Sequence, residues 1–115
     1  MRIGEVCLET NDVIRLADFY KQLLKVDKGS DDPVHQFILT EETMLTVFSD
    51  GCVKSNDNRN ISIAFTVEDL DAEYERILAM GARFIEGPTT RPWGARNMSF
   101  FDPDGNVVYF RSILK

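Results

Sequence analysis

What most constrains this chain is a pattern that starts twice. Residues 3–10 alternate Gly4, Val6 and Leu8 with Glu5, Cys7 and Glu9, the two-residue period of a strand with one apolar face. Asn11 or Asp12 can cap the helix that follows. In it Val13, Leu16, Ala17, Tyr20, Leu23 and Leu24 form one buried stripe, and Lys21 and Lys25 suit the end of the dipole. The order then returns. Ile61, Ile63, Phe65 and Val67 line one face of a strand, and Asp69 can cap a helix with Asp71 and Glu73 in its first turn. Leu70, Tyr74, Ile77 and Leu78 form its stripe, and Gly81 suits its end. Laying Asp69 on Asp12, an offset of 57, brings Ile63 onto Val6 and Phe65 onto Leu8.

The remaining elements keep the same order. In the first half an extended piece near 26–28 precedes strands marked by Phe37 and Leu39 and by Leu45 and Val47; in the second, strands are expected at 83–86, 96–101 and 106–113. Residues 102–105 (DPDG) place proline and glycine as a tight turn demands. The polar run from Asp50 to Asn60 separates the halves, giving modules 1–50 and 59–115 joined by a linker, 51–58. The expected class is α+β, two tandem βαβββ modules in a single domain spanning 1–115. Direct identities are few, and two unrelated strand–helix units would also satisfy the pattern. Repetition of element order as well as spacing favours duplication.

Composition narrows the setting. A chain of 115 residues, 43% hydrophobic, can bury one core without disulfides or a structural metal. Its two cysteines, Cys7 and Cys52, are too few and too far apart for a disulfide scaffold, and free thiols suit a reducing compartment. The first residues carry no apolar run before a cleavage site, and no stretch is long enough to span a bilayer, so a cytoplasmic protein is expected. A net charge of −6 opposes nucleic-acid binding and would favour a cationic ligand if focused in a cleft.

Residues 5–12 (EVCLETND) with Phe19 and Tyr20, 62–69 (SIAFTVED), Pro92-Trp93-Gly94 and 102–106 (DPDGN) together resemble the vicinal oxygen chelate superfamily. That group includes glyoxalase I, extradiol dioxygenases, fosfomycin-modifying enzymes and bleomycin resistance proteins. The likeness runs over essentially the whole chain and is most specific from Trp93 to Asn106. It implies paired modules whose curved sheets surround a cavity, commonly within a homodimer.

The resemblance also implies four places for metal ligands, and here they hold Glu5, Thr46, Ser62 and Tyr109. Zinc, iron and nickel favour imidazole, carboxylate or thiolate donors, and neutral hydroxyls are poor substitutes. Ionising Tyr109 at pH 7 would cost about 4 kcal/mol without help. The expectation is no metal and no cofactor.

If Glu5 faces the cavity, alternation brings Cys7 and Glu9 with it, as well as Met44, Thr46 and Phe48, then Ser62, Ala64 and Thr66, and finally Val107, Tyr109 and Arg111. Aromatic and sulfur surface suits an apolar ligand body, and two carboxylates suit a cation. Equally, Glu5 and Glu9 can be solvated while Met44, Phe48 and Tyr109 merely pack. Arg96 or Arg111 can neutralise the carboxylates instead of a ligand. Trp93 reads as a lid or stacking surface, or as an anchor for its loop or a dimer contact. His35 reads as an exposed histidine at a strand edge or in a loop, and Cys7 as a small buried core residue more than a nucleophile.

The function expected first is a metal-independent small-molecule-binding protein resembling the bleomycin resistance branch. It would sequester a cationic or aromatic ligand as a homodimer, with Glu5, Cys7, Glu9, Met44, Thr46, Phe48, Ser62, Trp93, Tyr109 and Arg111 at the site. The alternatives are a glyoxalase-type lyase or isomerase, either metal-dependent through other ligands or metal-free with Glu5 as base, and an interaction module with a vestigial cavity.

Overall fold

The computed structural model describes residues 1–27, 29–55 and 60–114, in two compact units, Met1–Ser55 and Asn56–Lys115. In the first, β1 (Glu5–Glu9), α1 (Val13–Leu23), β2 (His35–Leu39) and β3 (Met44–Phe48) build a sheet of order β1-β3-β2. β1 runs parallel to β3, which its crossover through α1 permits, and β2 is antiparallel to β3. Asp12, rather than Asn11, caps α1, its carboxylate accepting from the Arg15 amide at 3.1 Å. Val13, Leu16, Ala17, Tyr20 and Leu23 are buried against β2 and β3, where Gln36, Ile38, Leu45 and Val47 face them.

The end of α1 differs from the sequence expectation. Lys25 sits in the left-handed region at φ 57°, its amide bonding the Gln22 carbonyl while the Val26 amide reaches the Lys21 carbonyl at 2.8 Å. This is the double closure that usually employs glycine. Lys25 thus ends the helix through its backbone. Because the Val26 amide is turned back onto the helix, Val26 and Asp27 form no strand, and Lys28, the rest of the expected extended piece, lies outside the described residues. The segment leading to β2 is held by side chains instead, with Lys21 Nζ on the Ser30 carbonyl (2.8 Å) and Gln36 Nε2 on the Asp32 carbonyl (3.0 Å). Residues 51–55 of the expected linker are tied back to the first unit: Asn11 and Lys54 exchange two hydrogen bonds, 2.7 and 3.0 Å. Residues 56–58 lie outside the described residues.

The second unit completes the longer pattern. β4 (Ser62–Thr66), α2 (Leu70–Ala79), β5 (Arg83–Arg91), β6 (Ala95–Phe101) and β7 (Val107–Ile113) give a sheet of order β4-β7-β6-β5, with β4 parallel to β7. Asp69 caps α2 through the Ala72 amide, and Gly81 at φ 83° closes it as Lys25 closes α1. Leu70 and Ile77 are buried, whereas Leu78, expected in the stripe, is 43% exposed. Phe100 and Phe110 pack edge to face at 5.6 Å, beside fully buried Met98 and Val108.

Both hairpins of this sheet use one device. In Arg91-Pro92-Trp93-Gly94 and in Asp102-Pro103-Asp104-Gly105 the glycine amide bonds the carbonyl three residues back, and the glycine is left-handed, at φ 88° and 82°. β5 therefore runs on to Arg91 instead of ending at Glu86, and the loop of Trp93 is the tight turn of a hairpin. Asp102, 2% exposed, locks the second turn by accepting from the amides of Asp104 and Asn106 and from Asn106 Nδ2, each at 2.9 Å.

Candidate functional site

Strand parity sorts the expected site residues onto the sheet faces opposite the helices. In the first unit the register sets Cys7 beside Thr46 and Glu9 beside Phe48, with Glu5 and Met44 in the next row. These six expected residues share one face. Thr46 is fully buried there, and its hydroxyl donates to Glu5 Oε2 at 2.7 Å. Cys7 is exposed, which corrects its reading as a core residue: odd positions of β1 point away from α1.

The same register adds two residues that sequence reasoning left out. His35 stands opposite Phe48 and Phe37 opposite Thr46, so β2 contributes an aromatic group to this face. The His35 ring meets Phe37 edge-on at 4.7 Å and Phe48 at 5.8 Å. His35 is accordingly half-buried, not an exposed edge residue. The signal was available in the alternation of His35 and Phe37 with Gln36 and Ile38, but it named a face only once the partner strand was known. Asp32 anchors the approach to β2, accepting from the Val34 and His35 amides at 2.8 and 3.1 Å, and these bonds hold its carboxyl below the usual range.

Within the first unit a lysine meets one of the carboxylates. Lys54 Nζ lies 3.5 Å from Glu9 and 2.7 Å from Asp50. Its bond to Asp50 lowers that carboxyl and raises the lysine. Arg96 lies on the α2 side of its sheet, where parity directs it to Asp71 at 3.0 Å and the Thr90 hydroxyl at 3.1 Å. Arg111 donates to Thr66 Oγ1 at 3.1 Å.

In the second unit Ser62, Ala64 and Thr66 lie beside Val107, Tyr109 and Arg111, on the face away from α2. β6 adds Ser99 opposite Tyr109 and Asn97 opposite Arg111. On this face Arg91 pairs with Glu86 and donates to Asn97 Oδ1 at 3.0 Å. Trp93 stands apart at its hairpin end, 71% exposed. A shallow open recess at the β2–β3 connection, lined by residues 38–42, gathers none of the expected site residues.

The register clarifies the four ligand places. Cys7 pairs with Thr46 as Ala64 pairs with Tyr109, so Glu5 with Thr46 and Ser62 with Tyr109 are equivalent pairs under the duplication. Each module contributes one residue of its first strand and one of its last. The donors they carry do not fit a transition ion: one carboxylate, already bonded to a hydroxyl, and three side-chain hydroxyls. Among the described residues no three His, Cys, Asp or Glu side chains gather as an ion would require.

A βαββ unit and a βαβββ unit, each with its helix on one side of its sheet and polar side chains on the other, are the frame this chain presents. The profile of the Glyoxalase/Bleomycin resistance protein/Dioxygenase superfamily matches residues 2–110, and the chain belongs to that family. The Bacillus subtilis (strain 168) protein YetH is 26% identical over 117 residues, covering 96% of this chain and 97% of its own. Among solved structures, a glyoxalase/bleomycin resistance protein/dioxygenase from Nocardioides superposes with a TM-score of 0.81 at 23% identity, covering 100% of this chain and 85% of that one. The fosfomycin resistance protein FosX of Mesorhizobium loti superposes at 0.72 with 17% identity, covering 95% and 88%. At these identities the structural likenesses establish the shared fold. Among the described residues no helix is long and apolar enough to cross a membrane.

Proposed function

We propose that this chain is a small-molecule-binding protein that works without a resident metal, holding a ligand on its open sheet faces as a cytoplasmic homodimer. One observation carries the reading: the Thr46 hydroxyl is bonded to Glu5, while the equivalent pair is Ser62 and Tyr109, so hydroxyls stand where metal-using relatives place strong donors. The aromatic group of His35, Phe37 and Phe48 offers a platform for a flat ring, with Met44 and Cys7 beside it as polarisable surface. Glu5 Oε2 accepts one bond from Thr46 among the described residues and, as a carboxylate with further lone pairs, can accept another from a ligand amine. Glu9 contributes less, because Lys54 already meets it.

The test combines metal analysis with a probe amine. Purified protein should carry no stoichiometric transition metal, and added nickel or zinc should leave its melting temperature unchanged. Benzylamine should perturb the side-chain resonances of His35, Phe37 and Phe48, and Glu5→Gln should weaken that binding by about 1–3 kcal/mol, as for a charge-assisted hydrogen bond. One equivalent of tightly held metal, released by Glu5→Gln, would overturn the proposal.

A further inference from the structure

We infer that the face of the second unit around Arg111 is an anion subsite that takes a carboxylate or phosphoryl group of the ligand. The inference rests on the reading of these faces as ligand-binding. The other mapped cations of that sheet have partners: Arg91 is paired with Glu86, Arg96 with Asp71, and Arg83 lies 5.0 Å from the Phe101 ring. Arg111 makes no ion pair among the described residues, although it is exposed beside polar neighbours. Its Nε is held by Thr66 Oγ1, its register partner on β4. That bond engages Nε and leaves the two terminal nitrogens, which in any guanidinium form a planar fork matching a carboxylate or phosphoryl oxygen pair.

The surroundings supply donors and withhold acceptors. Arg91 bonds the Asn97 amide through its oxygen, so the NH2 group of Asn97 is the end left over, on the residue directly opposite Arg111. Arg91 also neutralises Glu86, the carboxylate of this face on β5. Tyr109, two residues before Arg111 on the same face, adds a phenol that can donate. The first unit's face differs in charge: Glu5 and Glu9 lie there, with one lysine between Glu9 and Asp50. A net charge of −6 therefore conceals a local donor surface that composition could not reveal.

The experiment titrates isotope-labelled full-length protein with benzoate, with phenylphosphonate and with benzylamine, reading the Arg111 Nε–H and the Thr66 and Asn97 resonances. The expected result is that at least one anion shifts these signals saturably while benzylamine leaves them unmoved. Arg111→Gln should weaken that anion about tenfold or more, and Arg111→Lys, which keeps the charge and loses the fork, by a smaller factor. A response to benzoate alone supports the subsite with a carboxylate ligand, and to phenylphosphonate alone with a phosphoryl ligand. No shift at Arg111 with either anion, or equal binding by Arg111→Gln, overturns the inference. Benzylamine binding at His35 and Phe37 reports separately on the proposed function, so the two can fail independently.

Discussion

The two units share a beginning and differ in how they finish. Both open with a strand, an Asp-capped helix and a parallel pairing between first and last strands. The offset of 57 holds from β1 to β4 and through both caps, then changes: Ser62 meets Val107 as Glu5 meets Met44, an offset of 107 − 44 = 63. The second unit uses its extra length for β5 and two proline–glycine hairpins, and its sheet has four strands to the first unit's three. The first unit substitutes side-chain ties, Asn11 with Lys54 and Lys54 with Asp50, for turns of that kind. Shared architecture constrains the helix and the strand it follows. It leaves the far edge of each sheet, and the chemistry on its open face, to be met by different residues.

The contrast can be broken most strongly at Asp102. Asp102→Ala leaves three donors of a buried turn without their acceptor and should cost about 3 kcal/mol in chemical denaturation. A loss below about 0.5 kcal/mol, the scatter of ordinary surface substitutions, would show that proline and glycine alone make that turn.

A smaller effect compares the helix ends. Gly81→Lys should destabilise by about 1 kcal/mol and Lys25→Gly should stabilise by up to the same amount, because both positions are left-handed and only glycine adopts that region without strain. Opposite signs in thermal melts would sharpen the comparison, and equal signs would refute it.

The smallest effect is in pH. Asp50 and Asp32 are lowered in the folded state, Asp50 by Lys54 and the Cys52 amide, Asp32 by the Val34 and His35 amides. Their contribution is therefore present above the ordinary aspartate value, about pH 4, and is lost as pH falls through the lower folded values. Lys54 is raised, so its contribution is present below the ordinary lysine range and lost as pH rises through the raised value. Lys54→Met should flatten the part due to Asp50 and leave that of Asp32. Denaturation midpoints measured below pH 5 in both proteins test this, and an unaltered slope would count against the Lys54–Asp50 tie.

Much of the fold was legible because it is local. Periodicity marks α1 and α2, Asp12 and Asp69 announce their starts, and DPDG announces a hairpin, since caps and turns depend on residues a few positions apart. The hairpin at Pro92-Trp93-Gly94 places proline and glycine at the same spacing, but it was read as a loop because the strand before it was ended at Glu86. The extended piece near 26–28 was misread because the Schellman-type closure at Lys25 uses a residue that gives no glycine signal.

The open faces were legible only in part. Alternation along β1, β3, β4 and β7 put Glu5, Cys7, Glu9, Met44, Thr46, Phe48, Ser62, Tyr109 and Arg111 on one expected wall, since a strand has only two sides, and the two sheets carry them as two groups. Tertiary structure decided which charges and rings meet. Register set His35 and Phe37 against Phe48 and Thr46, and Arg111 beside Thr66, while the backbone ties to Asn11 held Lys54 near Glu9 and the packing of α2 brought Asp71 to Arg96. Those outcomes depend on contacts between segments far apart in the chain, and for the strands a one-residue slip would reverse the face.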